Sequence, residues 1–232
     1  VALLAACGMT AKDDGKTSVV ASFYPFAYVA EQVGGSFVDV QNLTAPGAEP
    51  HDLELKPKQV AAVQDADLVI YEKHFQSAVD QAVEQADRSK GSTIDADREL
   101  KVLPSQEGTG EEGDDHDHGN EDPHTWLDPT NMIVMTNEVA SRLSSIEPAH
   151  AADFEARAAA LVTKIKTLDA AFQAGLKTCE RRTIVTSHAA FQYLAKRYDL
   201  AQVPIAGLDP TNEPSPSQPA DITKLVRKEG IT

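Results

Sequence analysis

The stretch PKQVAAVQDADLVIYEKHFQSAVDQAVEQA, residues 57–86, sets a short apolar run between two helical patterns. Asp67-Leu68-Val69-Ile70-Tyr71 reads as a strand of the buried type. Residues 57 to 66 before it and about 75 to 86 after it read as helices. A buried strand between two helices is the unit of a mainly parallel sheet with crossover connections.

The same alternation continues toward the N-terminus. Thr17 to Phe23 alternates and is β-branched, Tyr24-Pro25 leads into a helix ending at Gly34-Gly35, and Val38 to Leu43 reads as a second strand. A loop rich in Pro and Gly, residues 45–53, follows and carries His51. Toward the C-terminus, residues 130–145 form a helix. From Pro148 onward, Phe154, Ala158, Leu161, Ile165, Leu168 and Phe172 step by four and three, with Gly175 as the expected stop. Nearly thirty helical residues span about 40 Å, enough to join two lobes, although such a helix can also lie on one sheet. The α/β pattern restarts with Thr183 to Thr186 as a strand, Ala189 to Tyr198 as a helix, Ala201 to Ala206 as a strand and Asp221 to Lys228 as a short helix.

The expected fold class is therefore α/β, with two lobes, each a mainly parallel sheet flanked by helices, joined by a long helix. The expected boundaries are 1–16 for a signal remnant and tether, 17–145 for the first lobe, 146–177 for the connecting helix and 178–232 for the second lobe. An acidic, His-rich loop is expected within the first lobe at about 104–123. The second lobe holds about half the elements of the first, so the natural protein is expected to continue beyond residue 232.

With 232 residues and 41% hydrophobic content, the chain can bury one large core or two smaller ones. A formal net charge of -15 argues against nucleic acid and against electrostatic binding to anionic lipid, since both need clustered Lys and Arg. Eight of the acids, from Glu107 to Asp122, stand together with no Lys or Arg between them, and an acidic surface suits a cationic ligand. No repeat, membrane-spanning helix or other low-complexity tract is legible.

Cys7 ends the run Leu3-Leu4-Ala5-Ala6-Cys7-Gly8, and Met9 to Lys16 follows as a polar tether. The run resembles the lipobox of bacterial lipoproteins, in which cleavage leaves an N-terminal cysteine that is acylated and anchored to the membrane. The plainer alternative is a mature segment with a chance cysteine. Because the chain opens on Val1 with little apolar sequence before Cys7, its N-terminal end is read as incomplete. Cys179 has no expected partner within the chain.

Of three histidines, two, in different lobes, stand where a ligand is expected in such a fold. His51 lies in the loop after the 38–43 strand, His188 directly follows the 183–186 strand, and His124 sits in Asp122-Pro123-His124-Thr125-Trp126-Leu127-Asp128-Pro129, which ends the acidic tract. Alone, each has an ordinary role, as a turn, loop or helix N-terminal residue. Together, three neutral imidazoles leave one position of a tetrahedral zinc site for water or a carboxylate. Asp52 and Asp128 are candidates to orient an imidazole through its free N–H, or to cap and turn the chain. Trp126 reads as packing for the His124 loop, and Tyr24 and Phe26 as cleft-lining or core residues.

Four ordered motifs carry a family resemblance: Pro50-His51-Asp52-Leu53-Glu54-Leu55-Lys56-Pro57, the 122–129 segment, Thr186-Ser187-His188-Ala189-Ala190-Phe191 with Tyr193-Leu194, and Glu213-Pro214-Ser215-Pro216. From residue 17 to its end the chain resembles the cluster A-I metal-binding lipoproteins that deliver zinc or manganese to ABC importers. The resemblance implies a metal held between two lobes, with His51, His124 and His188 as ligands. Members that prefer manganese carry Glu at the third position, so His188 implies zinc as the transported ligand with manganese second, in line with the preference of imidazole nitrogens. The acidic tract resembles the loop of zinc members, which implies His116 and His118 as accessory ligands. The family's fourth ligand, an acid near the C-terminus, is expected in a segment beyond residue 232. Some members place Glu directly before the first histidine, where this chain has Pro50, with Glu49 close by.

What the resemblance implies is an extracytoplasmic zinc receptor, not an enzyme, anchored to the membrane by lipid at Cys7. It is expected to act as a monomer with an ABC permease as its partner. Two rivals remain at this point. A zinc-dependent hydrolase would also use three histidines and an open position, but no Glu or nucleophile accompanies them in a recognisable motif. A surface adhesin with a structural metal would unfold when stripped of it.

Overall fold

The computed structural model describes residues 15–88, 92–105, 121–210 and 218–230. Its main sheet contains β1 (Thr17–Ala21), β2 (Val38–Asn42), β3 (Leu68–Tyr71) and β4 (Thr93–Asp95), all parallel and ordered β2-β1-β3-β4. Alternate side chains of the central strands enter two different cores. Val19, Ala21, Leu68 and Ile70 pack on one face with α1 (Tyr24–Gly34), α5 (Pro129–Ile146) and α6 (Ala151–Leu176). Val20, Val69 and Tyr71 face α2 (Pro57–Asp65) and α3 (Ser77–Gln85). Burial on both faces is why the 67–71 stretch is apolar at consecutive positions instead of alternating.

Local chemistry starts and stops these helices. Pro57 and Pro129 occupy first-turn positions, where a missing N–H costs nothing. Asp128 caps α5 by accepting from the Thr130 N–H at 2.8 Å. Gly35 ends α1 with a positive φ of +57°, which glycine adopts without a side-chain clash. The last carbonyls of α2 are gathered by Arg88, whose guanidinium donates to Val63 O at 2.8 Å and Ala66 O at 2.6 Å.

The order β2-β1-β3 reverses direction across β1, so a crevice opens beyond the carboxyl ends of the strands. Between β4 and α5 come the short helix α4 (Ala96–Glu99) and an antiparallel hairpin, β5 (Leu103–Pro104) with β6 (Glu121–Asp122). Sequence patterning assigns no element to residues 93–104, because two- and three-residue strands carry too little periodicity to register.

The long helix is present as α6, 26 residues or about 39 Å. Its apolar stripe is not uniformly buried. Phe154, Ala158 and Leu161 lie in the first core, whereas Leu168 is 50% and Phe172 37% exposed. The distal half reaches instead to the second parallel sheet, β7 (Thr183–Thr186) with β8 (Ala201–Pro204), through α7 (Gln192–Arg197). Asp169 on α6 takes two bonds from the Arg197 guanidinium, at 2.7 and 2.5 Å, and one from the Tyr198 hydroxyl at 3.0 Å. This pairing holds the Asp169 carboxyl below its usual range. Phe172 stacks on Tyr198, with ring centroids 5.3 Å apart. The molecule is thus α/β, with two parallel sheets flanked by helices and bridged by one long helix.

Several expected boundaries shift for identifiable reasons. Gly175 does not stop α6, which runs to Leu176. The helix expected from Ala189 begins only at Gln192. The His188 carbonyl accepts from Thr186 Oγ1 at 2.7 Å and Gln202 Nε2 at 3.0 Å, and the Ala189 N–H is bound to Gly207 O, so the first helical turn has lost its partners. β8 ends at Pro204, yet Ile205 and Ala206 still donate to Thr186 and Ser187, continuing the pairing without regular strand geometry. The C-terminal helix is longer than expected, α8 (Gln218–Glu229). Among the described residues, no helix is long and apolar enough to cross a membrane.

Candidate metal centre

Three loops at the crevice bring His51, His124 and His188 together, with one ring nitrogen from each lying within 4.8 Å of the others. The ring centroids are 5.3 to 5.8 Å apart. Between His51 Nε2 and His124 Nε2 the distance is 3.3 Å. A tetrahedral zinc ion with Zn–N bonds of about 2.05 Å holds its nitrogens about 3.3 Å from one another, so this spacing suits a shared ion.

His124 is the buried member, 1% exposed. Asp122 Oδ1 accepts from its backbone N–H at 3.0 Å and faces its Nδ1 at 2.7 Å. A carboxylate there draws the ring proton to Nδ1 and leaves the Nε2 lone pair toward His51 and the crevice, the arrangement common around bound metals. The aromatic bed beneath is continuous: Trp126 lies 5.2 Å from His124, 4.9 Å from Phe75 and 4.6 Å from Phe23. Thr125, fully buried, donates to Glu72 Oε2 at 2.9 Å, and its carbonyl accepts from Asn131 Nδ2. Burial pushes the Glu72 carboxyl well above its usual range.

His51 is half-buried, its ring set edge-on to Phe75 at 4.7 Å. Its loop is tethered by Gln76, which donates to the Pro50 carbonyl and to Thr44 Oγ1, both at 2.9 Å. That use of Gln76 accompanies the late start of α3, two residues after the expected Phe75. His188 is also half-buried, and burial, reinforced by His124, lowers its pKa below the ordinary imidazole value. The carboxylates Glu49, Asp122 and Asp209 act in the opposite direction and make the crevice hospitable to a cation.

Of the two aspartates suggested by sequence, Asp128 serves the capping role also expected of it. Asp128 is spent on the α5 cap and on Arg197, 3.4 Å away, and Asp52 is exposed. Asp122 holds the His124 imidazole, and its only sequence signal is an acid two residues before a histidine. Gln76 carries no such signal. Tyr24 is 66% exposed and Phe26 lies in the core, whereas Trp126 packs under His124 as expected. Cys179 is an exposed thiol. Cys7, His116, His118 and the 213–216 motif lie outside the described residues.

Comparison with known proteins gives the family. Residues 19–232 match the family described as ZnuA, zinc-uptake complex component A periplasmic. The zinc-binding lipoprotein AdcA of Streptococcus pneumoniae is 39% identical over 235 residues, covering 98% of this chain and 46% of that protein. The high-affinity zinc uptake system protein ZnuA of Bacillus subtilis is 32% identical over 246 residues, covering 99% of this chain and 75% of its own length. A similar solved structure is the Zn(II)-bound ZnuA-like domain of Streptococcus pneumoniae AdcA, with TM-score 0.77, 36% identity, and coverage of 94% of this chain and 77% of that one. The chain spans about half the length of the AdcA proteins it matches. With its two bridged parallel sheets, its crevice of three histidines and a family match over nearly all of its length, this chain belongs to the ZnuA family.

Proposed function

We propose that this chain is an extracytoplasmic zinc receptor that captures Zn2+ in its crevice and passes it to the permease of an ABC importer. His51, His124 and His188 are the proposed ligands, with water or a carboxylate at the fourth position. The observation that carries the reading is the 3.3 Å separation of two imidazole nitrogens, with a third in reach, one of them fixed by a buried carboxylate. Three nitrogen donors favour zinc over manganese. Residues 17–145 and 178–232 serve as the two lobes, residues 146–177 join them, and acylation at Cys7 supplies the membrane anchor. The names of the relatives, zinc-binding lipoprotein and zinc uptake system protein, support both the ion and the compartment.

A receptor needs only to bind and release. Catalysis is not required, and the chain acts as a single copy in this scheme. Titration of the purified chain against a competing chelator, with metal content measured after dialysis, tests the reading. One tightly held zinc per chain is expected, with manganese held more weakly. A chain that retains no zinc, or prefers manganese, overturns it. A structural-metal role predicts unfolding on chelation, whereas the receptor is expected to keep its circular dichroism spectrum when empty.

A further inference from the structure

A single hydroxyl group links α7, the helix that follows the His188 loop, to the loop that carries His124. Tyr193 follows His188 by five residues, on α7, and is 3% exposed. Its hydroxyl oxygen accepts from the Leu103 N–H at 2.8 Å and its proton is donated to the Asp122 carbonyl, also at 2.8 Å. Leu103 and Asp122 are paired across the β5–β6 hairpin. Asp122 in turn holds His124 through both the backbone N–H and Nδ1.

We propose that Tyr193 is a positioning residue for metal capture, its hydroxyl pinning the Asp122 main chain so that His124 and His188 keep the separation a shared ion requires. The assignment rests on the zinc-receptor reading. At its other end the link is rigid, because the His188 carbonyl is clamped by Thr186 and Gln202 and the next N–H by Gly207. His188 is thus anchored to the second sheet, and a displacement of α7 against the hairpin reaches the His124 ring through two short hydrogen bonds. Metal–ligand distances tolerate about 0.2 Å, so a loosened link is felt directly as lost affinity.

The structure contains its own control. Gln192, the neighbouring residue on α7, donates to the Pro104 carbonyl at 3.0 Å, so it grips the same hairpin without bonding Asp122 or His124. Tyr193→Phe and Gln192→Ala are compared with the wild-type chain for zinc affinity by chelator competition, unfolding midpoint without metal, and the visible absorption spectrum of the cobalt-loaded protein. Tyr193→Phe is expected to lower zinc affinity about tenfold or more and to alter the cobalt spectrum, the scale set by loss of an outer partner of a ligand. Gln192→Ala is expected to lower the midpoint while keeping wild-type affinity and spectrum.

Wild-type affinity and spectrum in Tyr193→Phe, or losses in both variants that simply track their unfolding midpoints, overturn the proposal. Should the phenylalanine variant not fold, amide hydrogen exchange of the wild-type chain decides: protection of the Leu103 N–H is expected, and exchange at the rate of an unstructured peptide refutes the link. A wild-type chain that binds no zinc sinks the receptor reading itself, whereas wild-type binding matched by Tyr193→Phe sinks only the role of Tyr193.

Discussion

Nδ1 of His124 lies 2.7 Å from Oδ1 of Asp122, and the two side chains are 1% and 0% exposed. A pair so well shielded has no water to replace either partner, so the imidazole is held in one orientation and one tautomer. The other two histidines of the crevice lack such burial. The three proposed ligands therefore differ in what their loss should do.

Replacing His188 with Ala removes a half-buried ligand whose carbonyl, not its ring, is built into the fold. Zinc affinity is expected to fall at least 100-fold with little change in the unfolding midpoint. His124→Ala is expected to lose affinity as severely and also to destabilise the chain by about 1–3 kcal/mol, since the buried Asp122 carboxylate loses its imidazole partner and keeps the backbone N–H of residue 124. Calorimetric zinc titration paired with thermal unfolding of the metal-free proteins checks both. Equal stability losses in the two variants would contradict the difference in burial.

Asp122→Asn keeps the size of the side chain and removes its charge. Zinc affinity is expected to drop 10–100-fold, the usual consequence of weakening the partner of a ligating imidazole. A variant that binds zinc as tightly as the wild type would mean that the buried pair serves folding alone.

Zinc binding is expected to weaken as pH falls through the imidazole range near 6.5, because each ligand must shed its proton to coordinate. His188 has a lowered pKa, caused first by burial and then by His124, so it stays neutral to lower pH than an ordinary histidine. A titration of affinity between pH 5 and 8 checks the sign. Affinity that is flat or rising on acidification rules out neutral imidazole ligands.

Glu72 makes the opposite kind of prediction, about stability. Its carboxyl is fully shielded, with Oε2 bonded by Thr125 and Oε1 among the buried atoms lacking a hydrogen-bond partner, and burial raises its pKa. A carboxyl whose folded pKa is raised stabilises the fold fully below its unfolded value, about 4.3, and loses that contribution as pH rises through the folded value. Glu72→Gln is therefore expected to gain on the wild type as pH rises from 5 to 8, while Thr125 keeps an oxygen acceptor. Denaturant unfolding at the two pH values gives the comparison, and a wild-type chain that loses no more than the variant sinks it.

Along α6, Phe154 is wholly buried and Phe172 is 37% exposed. Phe154→Ala is expected to cost about 3–5 kcal/mol through the cavity it leaves. Phe172→Ala should cost only about 1 kcal/mol, since the ring is partly exposed already and loses chiefly its stacking on Tyr198. Denaturant midpoints of the two variants measure the contrast.

Much of this architecture could be read from patterning. The 67–71 strand, its flanking helices, the start of β1 and the length of α6 all follow from periodicity and stop signals within a few residues, because strand and helix periods are local properties of the chain. The segments bearing His51, His124 and His188 were legible for the same reason: each is a short motif next to a strand end or a helix start. Where local signals competed with distant partners, patterning erred. The His188 carbonyl, claimed by Thr186 and Gln202, delays α7, and no run of residues around 189 could reveal that.

By itself, then, the order of residues determined the α/β class, the connecting helix and the three histidines worth watching. Only the folded chain decided that Asp122 holds the His124 imidazole while Asp128 caps α5, that Gln76 tethers the His51 loop, and that the end of the α6 stripe lies exposed beside Tyr198. The reason is physical: helix and strand periods arise between neighbours a few positions apart, whereas hydrogen-bond partners and burial depend on residues separated by tens of positions that meet only when the chain has closed.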